Sequence, residues 1–185
     1  MPSLSKLLFA LLAGSAAVLT GAGPAAASPP PPSRLGGLDV GAYCRSTGYA
    51  GATLTGSTAY DWHCVAGDGR RGDLSFEAAC EWAYGTPNAV DRIADFRDPA
   101  SVSCWRVQPD VVTPDFERYC TSTGHSASAL LGTTVYDWHC VNYNRAGPTY
   151  FDIAVADVCR ETTFGYATID RFVNFYDART WQCRV

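Results

Sequence analysis

Tyr60-Asp61-Trp62-His63-Cys64-Val65 recurs as Tyr136-Asp137-Trp138-His139-Cys140-Val141, 76 residues further along the chain. The agreement runs backwards without a gap: between Cys44–Val65 and Cys120–Val141, 13 of 22 positions are identical. Beyond these anchors the offset becomes 79, so the second copy carries three extra residues. Cys80 then corresponds to Cys159, Asp91-Arg92 to Asp170-Arg171, Phe96 to Phe175, Asp98 to Asp177 and Cys104 to Cys183. The cysteine intervals are 20, 16 and 24 in one copy and 20, 19 and 24 in the other. Chance does not produce this pattern. The chain is an internal duplication.

Each copy is itself halved. A short helical segment carries one cysteine near its end, and an aromatic-rich strand further on carries the other. The pattern predicts helices over Asp39–Thr47, Ser75–Tyr84, Pro114–Thr121 and Phe151–Glu161. Ser75 is placed as an N-cap, and Gly48 and Gly85 stand where a helix end wants a left-handed residue. Strands are expected over Ala59–Val65, Ser101–Val107, Thr134–Val141 and Arg179–Val185. Ala89–Phe96 and Ala167–Phe175 read as one further short helix each, with Ile93/Phe96 and Phe172/Phe175 on one face. The expected fold class is α+β: two tandem small disulfide-stapled modules, each helix-strand-helix-strand, over 38–107 and 114–185. An extended Pro-rich arm over 28–37 precedes them, and 108–113 is a short, proline-bounded linker that keeps them in a fixed relationship.

The N-terminus reads as a secretory signal over 1–27. Lys6 supplies the positive charge, Leu7 to Leu19 the apolar stretch, and Ala25-Ala26-Ala27 the small residues that precede cleavage. The apolar run is broken by Gly14, Ser15, Thr20 and Gly21, and falls short of the ~20 residues a membrane helix needs. Export implies an oxidising compartment, where cysteines persist as disulfides. All eight cysteines (Cys44, Cys64, Cys80, Cys104, Cys120, Cys140, Cys159 and Cys183) remain after cleavage. Four per copy allow three connectivities each. The favoured one joins helix to strand within each half: Cys44–Cys64, Cys80–Cys104, Cys120–Cys140 and Cys159–Cys183. Each such bridge closes a loop of about 20 residues and contributes on the order of 3 kcal/mol in the chain-entropy account. Modules this small bury limited apolar area and usually need such staples. No CxxC pair is present, so zinc is disfavoured, and no metal or other cofactor is expected.

Lys6 is the only lysine, so the mature chain has 13 arginines against 18 acidic side chains, a formal charge of 13 − 18 = −5. An acidic chain lacks the electrostatic footprint for nucleic acid or for an anionic membrane surface. The run Pro29-Pro30-Pro31-Pro32 adopts polyproline II, extended and without internal hydrogen bonds. It serves either as a spacer or as a preformed arm that docks in a partner's groove at low ordering cost.

The candidate for chemistry is the repeated Asp-x-His. On a strand, Asp61 and His63 share one face, and Tyr60, Trp62 and Cys64 share the other, which is the core side. A carboxylate beside a histidine can form a general base or half a metal site. No repeated nucleophile accompanies the pair, so hydrogen bonding to neighbouring loops is the favoured reading and no catalytic residue is assigned. Asp91-Arg92, Asp98 and their counterparts read as caps and exposed ion pairs of little individual weight. Arg71-Gly72-Asp73 spells an adhesion tripeptide but has no counterpart in the second copy. Tyr49, Tyr84, Tyr143, Tyr150 and Tyr166 fall in expected loops or ends, where exposed tyrosines suit protein or carbohydrate recognition.

The paired Asp-Trp-His-Cys units, four cysteines each, end in Cys104-Trp105-Arg106 and Cys183-Arg184 and follow a signal and an Ala/Pro-rich stretch. This plan resembles the small adaptor component of the umbrella toxin particles of Streptomyces, over about Ser28 to Val185. The resemblance implies a non-enzymatic adaptor in an antibacterial toxin particle. One surface would bind the alanine–leucine–phenylalanine repeats of a large toxin-bearing subunit. The arm, matched here by Pro29, Pro30, Pro31, Pro32, Ser33, Arg34 and Leu35, would engage a lectin subunit with an inactive trypsin-like domain. A secreted glycan-binding protein and a protease inhibitor are the competing expectations.

Overall fold

The computed structural model describes residues 30–185, so the expected signal over 1–27, with Ser28 and Pro29 of the arm, lies outside the described residues. The fold is α+β and disulfide-rich. Four short helices, α1 (Val40–Ser46), α2 (Phe76–Tyr84), α3 (Phe116–Ser122) and α4 (Val155–Thr162), fall within or beside the expected segments. Three start on side-chain caps: Asp39 accepts from the Ala42 amide at 2.8 Å, Ser75 from Ala78 at 3.2 Å and Asp115 from Arg118 at 2.9 Å. Each cap satisfies an amide that the first helical turn leaves without a partner. Gly85 closes α2 in the left-handed region at φ 64°, where a glycine has no Cβ to clash.

Each copy carries two three-stranded antiparallel sheets. In the first copy β2 (Gly51–Leu54), β3 (Trp62–Val65) and β4 (Arg71–Gly72) form one; β1 (Ser33–Gly36), β6 (Val102–Arg106) and β5 (Ala89–Ile93) form the other. In the second, β8 (Ala127–Leu130), β9 (Trp138–Asn144) and β10 (Gly147–Asp152) match the former; β7 (Val111–Val112), β12 (Trp181–Arg184) and β11 (Ile169–Phe172) match the latter. Four disulfides join Cys44–Cys64, Cys80–Cys104, Cys120–Cys140 and Cys159–Cys183, the favoured pairing of helix cysteine with strand cysteine.

Several boundaries differ from expectation, each for a physical reason. Ala89–Phe96 and Ala167–Phe175 are not helices. They are β5 and β11, each running into a turn, because both faces are covered and the backbone pairs with the last strand of its copy. Ala59–Asp61 and Val135–Asp137 are single 3-10 turns, and strand geometry begins only at Trp62 and Trp138. Phe151 belongs to β10 and not to a helix. The three inserted residues lengthen the β9–β10 hairpin, so α4 starts at Val155. The simple helix-strand-helix-strand plan therefore undercounts the strands.

The arm and the linker are corrected together. Ser33, Arg34 and Leu35 are not free: they form β1, where Gly36 lies opposite Cys104. Val111–Val112 of the expected linker forms β7, where Val112 lies opposite Cys183. Gly36 and Val112 occupy the same repeat position (36 + 76 = 112), as do Cys104 and Cys183 (104 + 79 = 183). Both segments are one piece of the repeat, an edge strand laid beside the last strand of its copy. Alternating burial was too short to read in four residues and in two.

The copies share one core. Val40, Phe76, Ile93 and Phe96 of the first copy pack in the same cluster as Phe116, Val135, Phe172 and Trp181 of the second. At the seam, Phe96 stacks on its own counterpart Phe175, ring centroids 3.5 Å apart and planes 8° from parallel. Around that stack the contacts are reciprocal. The Tyr60 hydroxyl accepts from the Phe175 amide at 3.1 Å, and the Tyr136 hydroxyl accepts from the Phe96 amide at 3.1 Å. Arg92 donates to Asp170 at 2.8 and 3.0 Å, and Arg171 donates to Asp91 at 2.8 and 3.1 Å. One patch thus meets itself across a pseudo-twofold axis, as in an isologous dimer interface.

If the seam is one unit, Phe96→Ala should cost about 3–5 kcal/mol in denaturant unfolding with the disulfides intact. Adding Phe175→Ala should cost less than a second independent cavity, by about 0.5–1.5 kcal/mol of stacking energy. Strictly additive losses would show that the rings stabilise separate cores.

Candidate functional site: two equivalent clefts and an N-terminal edge strand

The seam leaves a cleft on each side of the axis. The first, about 360 Å³, is walled by Tyr60, Trp62, Leu74 and Phe76, with Asp73 and Asp91 among its polar residues. The second, about 520 Å³, presents the repeat counterparts of all six: Tyr136, Trp138, Ile153, Val155, Asp152 and Asp170. Each cleft is closed by the other copy, through Phe172 and Val173 in the first and through Ile93 and Ala94 in the second. Neither cavity exists in an isolated repeat. Concave sites between packed units with a few convergent polar groups are where ligands bind by default.

Local chemistry fixes the walls. The Trp62 indole N–H donates to the Pro99 carbonyl at 3.1 Å, and its counterpart Trp138 donates to Ala178 at 2.8 Å. Each indole is thereby held flat against its own copy, with its N–H satisfied. Tyr60 is held by the seam, and burial pushes its hydroxyl pKa up. Arg171 and Asp91, each with 6 % of its side chain exposed, form a buried ion pair at the back of the first cleft. Burial works to lower the Arg171 pKa, but Asp91 and Glu77 outweigh it and the guanidinium is held above its ordinary value. Burial in turn pushes the Asp91 carboxyl up, against the opposing pull of Arg171.

The clefts differ in two instructive ways. Glu77 reaches Arg171 at 3.1 Å, and the same repeat position in the second copy is Ala156. His63 lines the first cleft, while His139 turns its Nδ1 toward Asp152 at 3.4 Å.

The repeated Asp-x-His does not assemble as an acid–base pair. Asp61 ends the 3-10 turn, so alternation along a strand does not reach it. Its Oδ2 accepts from the Thr58 amide and hydroxyl, both at 2.8 Å. Asp137 repeats this with Thr134 at 2.7 and 2.8 Å. The turn is tight enough that a Cβ at Gly56 would strike the Asp61 carboxylate, and one at Gly132 would meet Asp137 at 2.5 Å. Asp98 and Asp177 cap turns through the Ala100 and Arg179 amides. Asp91-Arg92 and Asp170-Arg171, expected as exposed pairs, instead cross the seam and are largely buried. Two tyrosines expected outside are also tied down. Tyr84 donates to the Gly37 carbonyl at 2.8 Å, and Tyr49 packs over Gly72, which leaves no room there for a Cβ. Tyr143, Tyr150 and Tyr166 are exposed. Of the Arg-Gly-Asp tripeptide, Gly72 serves packing and Asp73 stands exposed at the first cleft.

The arm contributes differently. Leu35 packs against the Cys80–Cys104 bridge and Ala89, which anchors β1. Pro30 and Pro31 are exposed ahead of it. Reading the sequence in strand register missed the clefts altogether, although the offset of 79 that pairs Asp73 with Asp152 and Leu74 with Ile153 was available in it. No protein family, curated protein or solved structure matches the chain. Among the described residues, no helix is long and apolar enough to cross a membrane, and no His/Cys/Asp/Glu group could hold a metal ion.

The Thr58 hydroxyl, then its amide, holds the Asp61 carboxyl below the ordinary carboxylate range, and Thr134 does the same for Asp137. A carboxyl lowered by folding adds stability that is present above its unfolded pKa and lost as pH falls through the folded one. Carboxyl-carbon NMR titration should therefore find both residues protonating at unusually low pH. Thr58→Ala should return Asp61 toward the ordinary range and leave Asp137 where it is. If both move together, the two turns are not independent caps.

Proposed function

We propose that the chain is a secreted, non-enzymatic adaptor that joins larger secreted subunits of an antibacterial toxin particle through its N-terminal arm and module surface. Two duplicated, disulfide-braced modules docked on one another would form the rigid body. The observation that carries this reading is the anchoring of β1. Because Ser33–Gly36 is pinned to β6, Pro30–Pro32 leave the body from a fixed point, and consecutive prolines are stiff. A preordered arm loses little entropy on binding, which favours affinity for a partner's groove. The repeated pairs Asp61/Asp137, Asp98/Asp177 and Asp91/Asp170 supply further support, since they serve caps and the seam and so suit a scaffold. The bridges, the signal-like N-terminus and the acidic surface agree with life outside the cell. The resemblance to the umbrella-particle adaptor adds the partner types: a lectin subunit with an inactive trypsin-like domain for the arm, and a repeat-bearing toxin subunit for the body. Exposed Tyr143, Tyr150 and Tyr166 favour glycan binding as the second reading.

The test separates the arm from its anchor. Removing residues 28–32 should leave thermal unfolding unchanged and abolish capture of one stoichiometric partner from culture supernatant. Leu35→Asp should instead lower stability, because it places a carboxylate against the Cys80–Cys104 bridge. An intact chain that recovers no stoichiometric protein partner removes the adaptor reading, and bivalent binding on a glycan array would replace it.

A further inference from the structure

We infer that the two seam clefts are a matched pair of receptor sites for cationic side chains, an arginine or lysine presented by a partner protein. This goes beyond the arm and does not depend on what the arm binds. The charge on the lining decides the sign of the ligand. In the first cleft Asp73, Glu77 and Asp91 face a single guanidinium, that of Arg171. In the second, Asp152 and Asp170 face Arg97. Asp91 and Asp170 are already matched by Arg171 and Arg92 across the seam. The carboxylate in each cleft that the seam arginines do not reach is therefore the one on the exposed segment before the second helix of each copy: Asp73, and Asp152 with His139 Nδ1 at 3.4 Å. The two occupy the same repeat position (73 + 79 = 152) although the residues just before them, Gly72 and Phe151, are unrelated.

The walls suit the same ligand. Tyr60 and Trp62 in one cleft, and Tyr136 and Trp138 in the other, offer aromatic surface whose faces attract a cation, while the carboxylate supplies a charge-assisted hydrogen bond. Leu74 and Phe76, or Ile153 and Val155, provide apolar contact for the methylene stem that carries such a head group. An anion would meet net negative charge in the first cleft, whereas Arg97 and the seam Arg92 balance Asp152 and Asp170 in the second. Glu77 adds a third carboxylate to the first cleft only, and His139 competes for Asp152 in the second, so the first cleft should bind more tightly. Because one rigid body carries both sites, a partner displaying two basic residues at the matching spacing would gain avidity.

The experiment is an NMR titration of the disulfide-intact protein with N-acetyl-arginine amide, following the Trp62 and Trp138 indole N–H resonances. Both should shift saturably, with affinity on the order of millimolar for so small a probe. Asp73→Asn should weaken the Trp62 response about tenfold and spare Trp138, and Asp152→Asn should do the reverse. Both side chains are exposed, so neither substitution threatens the fold. The citrulline analogue, isosteric but uncharged, should leave both resonances unmoved. Non-saturating shifts, an equal response to the citrulline analogue, or indifference to both substitutions overturns the assignment. Loss of arm-dependent partner capture with these responses intact would sink the adaptor reading alone.

Discussion

The stack of Phe96 on Phe175 fixes almost everything else, because it is a contact a duplicated sequence can make only with itself. A ring that meets its own repeat counterpart must lie beside the axis relating the two copies, and the principal neighbouring contacts are then made twice. Tyr60 and Tyr136 each reach the amide of the opposite phenylalanine, and each Asp-Arg dipeptide pairs with the other. These contacts explain why a carboxylate and a guanidinium survive in a buried seam. Each is matched, Arg171 is further hydrogen-bonded to Gln182 and Glu77, and an unmatched partner would carry a desolvation cost that nothing offsets. They also border the clefts, each of which is lined by residues of both copies.

The disulfides play a different part. Each closes a helix onto a strand within one half-repeat and restrains the unfolded chain. None crosses the seam. The relation between the copies therefore rests on packing and polar pairing, while the shape of each half rests on sulfur. Cross-links acting in place of an apolar interior describe only the half-repeat. Across the whole chain, the core formed by both copies recovers much of the burial that neither module could achieve alone.

Where the copies depart from symmetry, the departures are local and physically legible. Glu77 against Ala156 changes the charge of one cleft. The longer β9–β10 hairpin adds exposed Tyr143 and Tyr150 to one copy alone. Gly85 against Phe164 is the sharpest case. The glycine closes α2 with a left-handed residue at no steric cost, whereas Phe164 takes the same conformation at φ 55° with 78 % of its surface exposed. Arg118 covers part of the ring, its guanidinium carbon 4.5 Å from the centroid. A shared backbone path thus carries different surfaces in the two copies.

The sequence by itself determined the duplication, the approximate positions of four helices with the Ser75 cap, and a helix-to-strand order of cysteines that favoured one pairing. Those features depend on residues close in the chain or on strict periodic identity, which a linear reading captures. Only the tertiary structure decided that the arm and the linker are the same edge strand, that Ile93/Phe96 belong to a strand and its turn, and that Asp-Arg pairs face across the copies. Those outcomes depend on which surface covers a segment. A strand of two to four residues has too few positions to show a period, and the partner of a buried charge can lie 80 residues away, as Asp91 does from Arg171.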